Sequence, residues 1–420
     1  MTDPRLEKNA KIAVTSRETR SRHRAMSAVT KELKITESRL SKVQREALRL
    51  VFLQAKWLYN ELVTMEDWNA WSPKSKTAKV RLPDGSFEER QLSLLGSQVK
   101  QSVQKQLNAS VKTLATLKAQ GKKVGALGPQ REVNSISLIQ PKVTFNLRAG
   151  RVKIQGLPGW LPLRGDSLKG LELANARLVK RASGYYLLVT GFCQPEQRET
   201  NGRQVGIDMG IKTHITTSDS VEYNVRFSET ERLKRLQRKL QRQVKGSMNR
   251  MKTQTLINLE YEKLGRRKTD ASNKIIHELL NYDKVFLQDE NLTQWKRRYG
   301  KNMQHSCLGR VKAKLVAHPR AVVLDRWAPT TQSCPACKAR NKLALSERQY
   351  SCVCDYTEQR DVHAARNMIL MAEEWTKIKT PEGLGKAPVE ERAAVKLTPM
   401  KQETNHQKMI AETALSSVAP

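Results

Sequence analysis

The sequence predicts a multidomain α/β protein, and three observations carry that reading. Residues 41–119 repeat apolar side chains at three- and four-residue spacing, the pattern of amphipathic helices. Residues 133–195 break into short alternating runs separated by Gly and Pro, the texture of a small β unit or barrel. From 205 onward strand-like and helix-like segments take turns, which argues for an α/β layer, and two close cysteine pairs interrupt it.

Composition narrows the partners. The chain has 420 residues, room for roughly two to four structural units. Lys and Arg number 76 against 41 Asp and Glu, a net charge of +35 spread along most of the chain. A surface that is merely solvated mixes its signs, so a sustained excess of one sign points to a polyanion. DNA or RNA is expected ahead of an anionic membrane or an acidic protein. No apolar run approaches the ~18 residues of a membrane span, so no membrane partner is expected. The charged start Met1–Glu7 shows no secretory signal. The expected setting is therefore the cytoplasm.

In chain order, residues 1–30 read as a flexible basic lead-in, and alternation near Val29–Ile35 allows a short strand. Ser41 is a candidate N-cap for a helix carrying Val43, Leu48, Val51, Phe52, Ala55, Leu58 and Leu62. Trp57, Tyr59 and Asn60 lie near its end, where they either enter the core or stack on a base. Pro83-Asp84-Gly85 marks a turn between short strands, and a second helix covers about 92–119. Strand candidates follow at 137–139, 143–147, 152–154, 171–173 and 185–192, and a polar linker at 196–202 marks a boundary.

Val205-Gly206-Ile207-Asp208 opens the next pattern, with further strands near 214–217 and 221–225. A basic helix from about Ser228 has one apolar edge, Leu233, Leu236, Leu240 and Val244. Its other faces carry Arg232, Lys234, Arg235, Arg238, Lys239, Arg242 and Lys245. A phosphate-tracking helix is expected there, with Arg235, Arg238, Lys239 and Arg242 as nucleic-acid contacts, alongside Tyr59 and Asn60. A helix at about 251–281, a buried strand at 284–288, a helix near 305–317 and a strand at 321–325 complete the layer. Residues 376–420 lose periodicity and read as a disordered tail.

Two sets of side chains carry chemistry. Six cysteines in a chain without an export signal favour metal over disulfides, and four of them cluster as Cys334, Cys337, Cys352 and Cys354. Cys334-Pro-Ala-Cys337 lets two thiolates face one ion, and four thiolates at this spacing fit a tetrahedral structural Zn2+ site. The second pair, Cys352-Val-Cys354, is one residue short of the usual spacing. Asp355 and His363 are its nearest substitute ligands. The other set is acidic: Asp208 ends a strand between Gly206 and Gly210, Glu290 follows the apolar strand Val285-Phe286-Leu287, and Asp361 opens a helix. A phosphodiester hydrolase that uses two Mg2+ ions needs such converging carboxylates. Asp361 also suits a plain N-cap, and Asp289 competes with Glu290.

Gly206-Ile-Asp-Met-Gly-Ile-Lys212, Asp289-Glu-Asn-Leu292, Thr331-Gln-Ser-Cys-Pro-Ala-Cys337 and Gln359-Arg-Asp-Val-His-Ala-Ala-Arg-Asn367 occur in this order. Together they resemble the TnpB family, the OrfB proteins of bacterial insertion sequences and relatives of compact type V CRISPR effectors. The resemblance covers roughly 205–373. It implies a β-barrel wedge domain (31–40 and 121–200) interrupted by a helical recognition domain (41–120). An RNase H-like (RuvC) nuclease domain (201–326 and 356–375) then follows, with a zinc ribbon (327–355) inserted. It assigns Asp208, Glu290 and Asp361 as catalytic Mg2+ ligands and the four cysteines as Zn2+ ligands. It further implies a guide RNA from the transposon end and cleavage of double-stranded target DNA beside a short flanking motif. It also implies a prokaryotic setting, in association with the nucleoid. His363 departs from the family, which often has Asn there. The alternatives are a nuclease-inactive RNA-guided DNA-binding repressor, a compact type V CRISPR effector, and a transposase that joins DNA ends itself.

Overall fold

A computed structural model describes residues 4–195, 199–344 and 346–378. The chain divides between Glu196 and Gln197 into two compact units.

The first unit begins with a helix, α1 (Pro4–Arg24), where an irregular lead-in was expected. Pro at the first helical position and a run rich in Leu, Glu, Lys, Ala and Arg account for it. Its last turn is anchored: Arg22 and His23 both bond the Glu172 carboxylate, and the His23 ring stacks on Phe192 at 3.8 Å. Next come β1 (Ser27–Ile35) and α2 (Lys42–Thr64). Ser41 caps α2 as expected: its hydroxyl accepts from the Gln44 N–H, and the Gln44 side chain accepts from the Ser41 N–H. A hairpin of β2 (Thr77–Arg81) and β3 (Phe87–Gln91) turns at Pro83-Asp84-Gly85, and α3 (Ser97–Ala119) follows.

Six strands complete this unit: β4 (Ser135–Leu138), β5 (Phe145–Arg148), β6 (Arg151–Ile154), β7 (Leu161–Gly165), β8 (Glu172–Arg181) and β9 (Gly184–Cys193). With β1 they form a seven-stranded sheet in the order β4-β8-β9-β1-β7-β6-β5. Its two edges, β4 and β5, are joined by residues 139–144, so the sheet is rolled nearly closed. The sequence reading missed β7, whose Pro162 interrupts the alternation. The helices pack against this sheet. Leu48, Phe52, Leu58 and Leu62 of α2 and Val99 and Leu107 of α3 share one core with Leu33, Ile35, Leu138, Val152, Leu178 and Leu187.

In the second unit β10 (Gln204–Met209), β11 (Ile215–Thr217) and β12 (Glu222–Tyr223) run antiparallel in succession. Two helices follow, α4 (Glu231–Arg242) and α5 (Met248–Leu279), and then β13 (Lys284–Gln288). Three short helices, α6 (Leu292–Arg298), α7 (Gly300–His305) and α8 (Leu308–Val316), lead to β14 (Ala321–Leu324). The sheet order is β12-β11-β10-β13-β14, with β13 parallel to both β10 and β14. A small hairpin, β15 (Gln349–Ser351) with β16 (Thr357–Gln359), precedes α9 (Arg360–Ile378). This hairpin runs up to the first residue of α9. Of the tail expected at 376–420, residues 376–378 belong to α9 and the rest lies outside the described residues.

Strand alternation splits this core in two. Val205, Ile207, Val285 and Leu287 face Ile275, Leu279, Val311 and Leu315 of α5 and α8. Phe286 packs on the other face, with Leu324 and with Met368 and Ala372 of α9. Among the described residues no helix is long and apolar enough to cross a membrane.

Candidate functional site

The second face of the sheet positions the acids. A Cβ on Gly206 would lie 1.8 Å from the Ala365 carbonyl oxygen, so β10 and α9 touch backbone to backbone there. Ala364, Ala365 and Met368 are fully buried against the sheet. From that contact Asp208 lies two residues on, on the same strand face, at ~6.8 Å. Asp361 lies four residues back, one helical turn or ~6 Å along the axis. The close approach therefore brings Asp361 near enough to the carboxyl end of β10 for its charge to act on Asp208.

Glu290 arrives from the parallel neighbour. Asp289 still pairs with β14 through its N–H to the Leu324 carbonyl, and the chain then turns. The exit of β13 beside the exit of β10 is where open α/β sheets hold their ligands. Electrostatics registers the convergence. Burial, then the charges of Asp361 and Glu290, push the Asp208 carboxyl up to about 8, against a smaller downward pull from Arg360. Burial also raises Glu290, opposed by Lys312 and Arg326.

Asp289 is spoken for. Its oxygens lie 2.7 Å from Lys312 Nζ and 2.7 Å from an Arg326 guanidinium nitrogen, and these hydrogen bonds hold its carboxyl below the ordinary aspartate range. Lys312 also donates to the Glu290 carbonyl, which fixes the backbone at the exit of β13. Sequence reasoning missed Lys312, Arg326 and Arg360. A cation supplied from α8 has no local signal in the sequence around Asp289.

The four cysteines come together. Their sulfurs all lie within 4.8 Å of one another, with Cys334–Cys354 at 3.6 Å and Cys337–Cys352 at 3.4 Å. Two parallel turns achieve this. Lys338 N–H donates to the Cys334 carbonyl and Asp355 N–H to the Cys352 carbonyl, and Lys338 and Asp355 both take left-handed φ, near 62°. The left-handed residue at 355 lets the shorter Cys-Val-Cys loop close, so neither Asp355 nor His363 is needed as a ligand. The Cys354 N–H draws the Cys352 thiol down to about 7. The Ala339 N–H pulls Cys337 downward, but hydrogen bonding with Cys352 and Cys354 outweighs it and holds Cys337 at about 12. Four soft donors in this arrangement fit a tetrahedral Zn2+. Three carboxylates fit hard, oxygen-seeking Mg2+. Among the described residues the acids do not form so tight a set as the thiols.

His363, two residues from Asp361, is fully buried and stacks on Tyr350 of the ribbon hairpin at 3.8 Å. Burial, with help from Arg366, lowers it to about 4, so it is neutral at ordinary pH. Asn367, one turn later, donates to the Thr330 and Ser333 carbonyls, each at 2.7 Å. Ribbon and acid-bearing helix are thereby fastened together. No pattern in the sequence pointed to Tyr350, and Asn367 closed the last motif without a role of its own.

Arg235, Arg238, Lys239 and Arg242 line one cleft of about 400 Å³ together with Gln243. Their spacing places all four on one face of α4, while Leu233 is buried on the other. Among the described residues none of the four has an ion-pair partner. Tyr59 and Asn60 are elsewhere, in the first unit. Tyr59 is 6% exposed in the α2 core and has no ring face left for a base, and Asn60 bonds the Gln130 backbone through both amide atoms. For these two the structural role wins, because position 59 falls on the apolar stripe of α2.

Residues 188–288 match the family model OrfB_IS605, described as "Probable transposase", and residues 309–368 match "Cas12f1-like, TNB domain". The first stretch contains Asp208. The second contains all four clustered cysteines and Asp361, and Glu290 falls between the two. A Streptomyces pristinaespiralis protein named "Putative RNA-guided DNA endonuclease" is 28% identical over 177 residues, 39% of this chain and 44% of that protein. The chain thus spans less than half the length of this relative. The resemblance to the TnpB (OrfB) proteins read from the motifs is borne out by these matches.

Proposed function

We propose that this protein is an RNA-guided DNA endonuclease encoded with an insertion sequence, cutting target DNA at an RNase H-like (RuvC) site with two Mg2+ ions. The convergence of Asp208, Glu290 and Asp361 carries the reading. Three acids at the carboxyl end of one sheet, two of them raising the pKa of the third, form a cluster whose mutual repulsion a divalent cation relieves. The sheet, three antiparallel strands extended by two parallel ones under α9, supports the RuvC-like assignment. The family matches and the name of the Streptomyces relative support RNA guidance, and OrfB_IS605 supports the insertion-sequence setting.

When bound, Mg2+ would supply a Lewis acid that lowers the pKa of the attacking water and neutralises charge on the leaving oxygen. Asp208 and Asp361 would hold it from β10 and α9, and Glu290 from the exit of β13. Lys312 and Arg326 neutralise Asp289, which limits the number of free carboxylates near the scissile phosphate. The cationic face of α4 would hold phosphates of guide or target. Zn2+ held by Cys334, Cys337, Cys352 and Cys354 would be structural. The setting is cytoplasmic, with the guide transcribed from the transposon end and a short DNA motif flanking the target. All three acids are present, so the inactive repressor reading has no observation in its favour.

The test is a purified complex with its co-transcribed RNA, incubated with matched double-stranded DNA and Mg2+. Cleavage is expected from the parent, whereas Asp208→Ala and Glu290→Ala should cut at least ~100-fold more slowly and retain the RNA. Undiminished cutting by either variant would remove the assignment.

A further inference from the structure

Trp327 is 84% exposed, more than any other aromatic side chain among the described residues. An indole buries about 150–250 Å² when it finds a partner, so leaving it in water forgoes a large contact. The backbone beneath it is well fastened. Trp327 N–H donates to the Asp325 carboxylate at 2.8 Å, and Ala328 N–H donates to the Asp325 carbonyl at 3.1 Å. The Gln288 amide, at the end of β13, donates to the carbonyls of both Asp325 and Ala328, at 3.1 and 2.9 Å. The preceding residue, Arg326, is locked to Asp289, the immediate neighbour of Glu290.

The ring thus stands in solvent on a stretch bonded to the very turn that delivers an acid to the site. A loop held by five named bonds with its one large apolar side chain pointing outward is a platform awaiting a flat partner. Cationic side chains follow along the sequence. The ribbon that follows carries exposed Lys338, Arg340 and Lys342.

We propose that Trp327 stacks on a nucleobase of the single-stranded DNA segment presented to the Asp208–Glu290–Asp361 site, and so sets the register of the scissile phosphate. The inference rests on the nuclease reading and deepens it by naming how substrate is gripped. Stacking of a base on an aromatic ring is tolerant of sequence, since every base has a π-face. That suits a protein whose sequence choice would come from a guide. Trp327 is a positioning residue here and takes no part in bond making.

Two measurements test it. The full chain carrying Asp208→Ala, with its co-purified RNA, is irradiated with a single-stranded oligonucleotide containing 5-iodouracil, and cross-linked peptides are mapped by mass spectrometry. A cross-link at Trp327 is expected; cross-links confined to other positions would overturn the proposal. Binding of a thymidine-rich single strand is then titrated. Trp327→Ala should weaken it about 5- to 100-fold, the range of one base–aromatic stack, while Trp327→Phe keeps most of the affinity. Equal binding by parent and Ala variant would also overturn it, as would a change of oligomeric state in place of a change in DNA affinity. Neither readout needs cutting. A parent complex that cross-links at Trp327 but never cleaves in Mg2+ would remove the nuclease reading and leave the stack standing.

Discussion

Asp208 holds its proton up to about 8 because burial and two neighbouring acids oppose its ionisation. Since its folded pKa is raised above the ordinary 3.8, the protonated form favours the fold, fully so below pH 4. That contribution is lost as pH rises toward 8. In EDTA the parent should therefore melt at progressively lower temperature between about pH 4 and pH 8, and Asp208→Asn should flatten the decline. At pH 8 the variant should be the more stable by at least about 1 kcal/mol, read by calorimetry. A less stable Asn variant would mean that the carboxyl is not repelled. A sharper contrast separates Asp289 from Glu290. Glu290→Gln should abolish cutting and leave the melting temperature near the parent's. Asp289→Asn loses two charge-assisted bonds, so it should cost about 1–2 kcal/mol of stability and cut more slowly. The acids were legible in sequence because each lies at the end of a core element. Their cationic neighbours were not, because Lys312 and Arg326 reach Asp289 from 23 and 37 positions away.

At the scale of elements the decisive contact is β10 against α9. Gly206 was legible as a place of close approach, but its partner, Ala365, becomes visible only once the helix is folded across the sheet. Gly206→Ala should push α9 outward, costing about 1–3 kcal/mol from overpacking. Cutting should fall more than stability, since the same displacement separates Asp361 from Asp208. A variant that melts lower yet cuts at the parent rate would show that the acids do not depend on this contact. The ribbon was legible from cysteine spacing alone, and its irregular second pair closes because Asp355 accepts a left-handed turn. How the ribbon is moored was not legible: Tyr350 stacks on His363, and Asn367 holds the Thr330 and Ser333 carbonyls. Cys337→Ser with Cys352→Ser should abolish zinc binding, measured by atomic emission. The amides of 361–367 should then exchange hydrogen faster in the intact chain, read by mass spectrometry. Unchanged exchange after zinc loss would mean that the ribbon is a passenger.

The molecule as a whole is two units with different legibility. Periodicity found α2, α3 and most strands of the first unit, because amphipathic stripes survive in any context. The resemblance implies a helical recognition domain inserted in the β unit, and Leu48, Phe52 and Leu107 pack in one core with Leu138 and Val152. A stripe states that a face is buried and leaves open what buries it. Residues 1–30 were read from charge, and charge does not forbid a helix. Charge is the more informative about partners. Within the +35 net charge, the α4 face gathers Arg235, Arg238, Lys239 and Arg242 along one cleft. Binding of a polyanion to such a face releases counterions, so affinity falls with salt in proportion to the phosphates neutralised. Replacing Arg235, Arg238, Lys239 and Arg242 together by Gln should weaken RNA or DNA binding and reduce the slope of log Kd against log salt. The reduction should be about 3 to 4, since each contact contributes ~0.7 on single strands and ~0.9 on duplex. Folding should be unaffected, because the apolar edge of α4 at Leu233 and Leu236 is untouched. A parental slope in the quadruple variant would assign the binding charge to another surface, whereas a lower slope with intact guide pairing would fix α4 as a phosphate track.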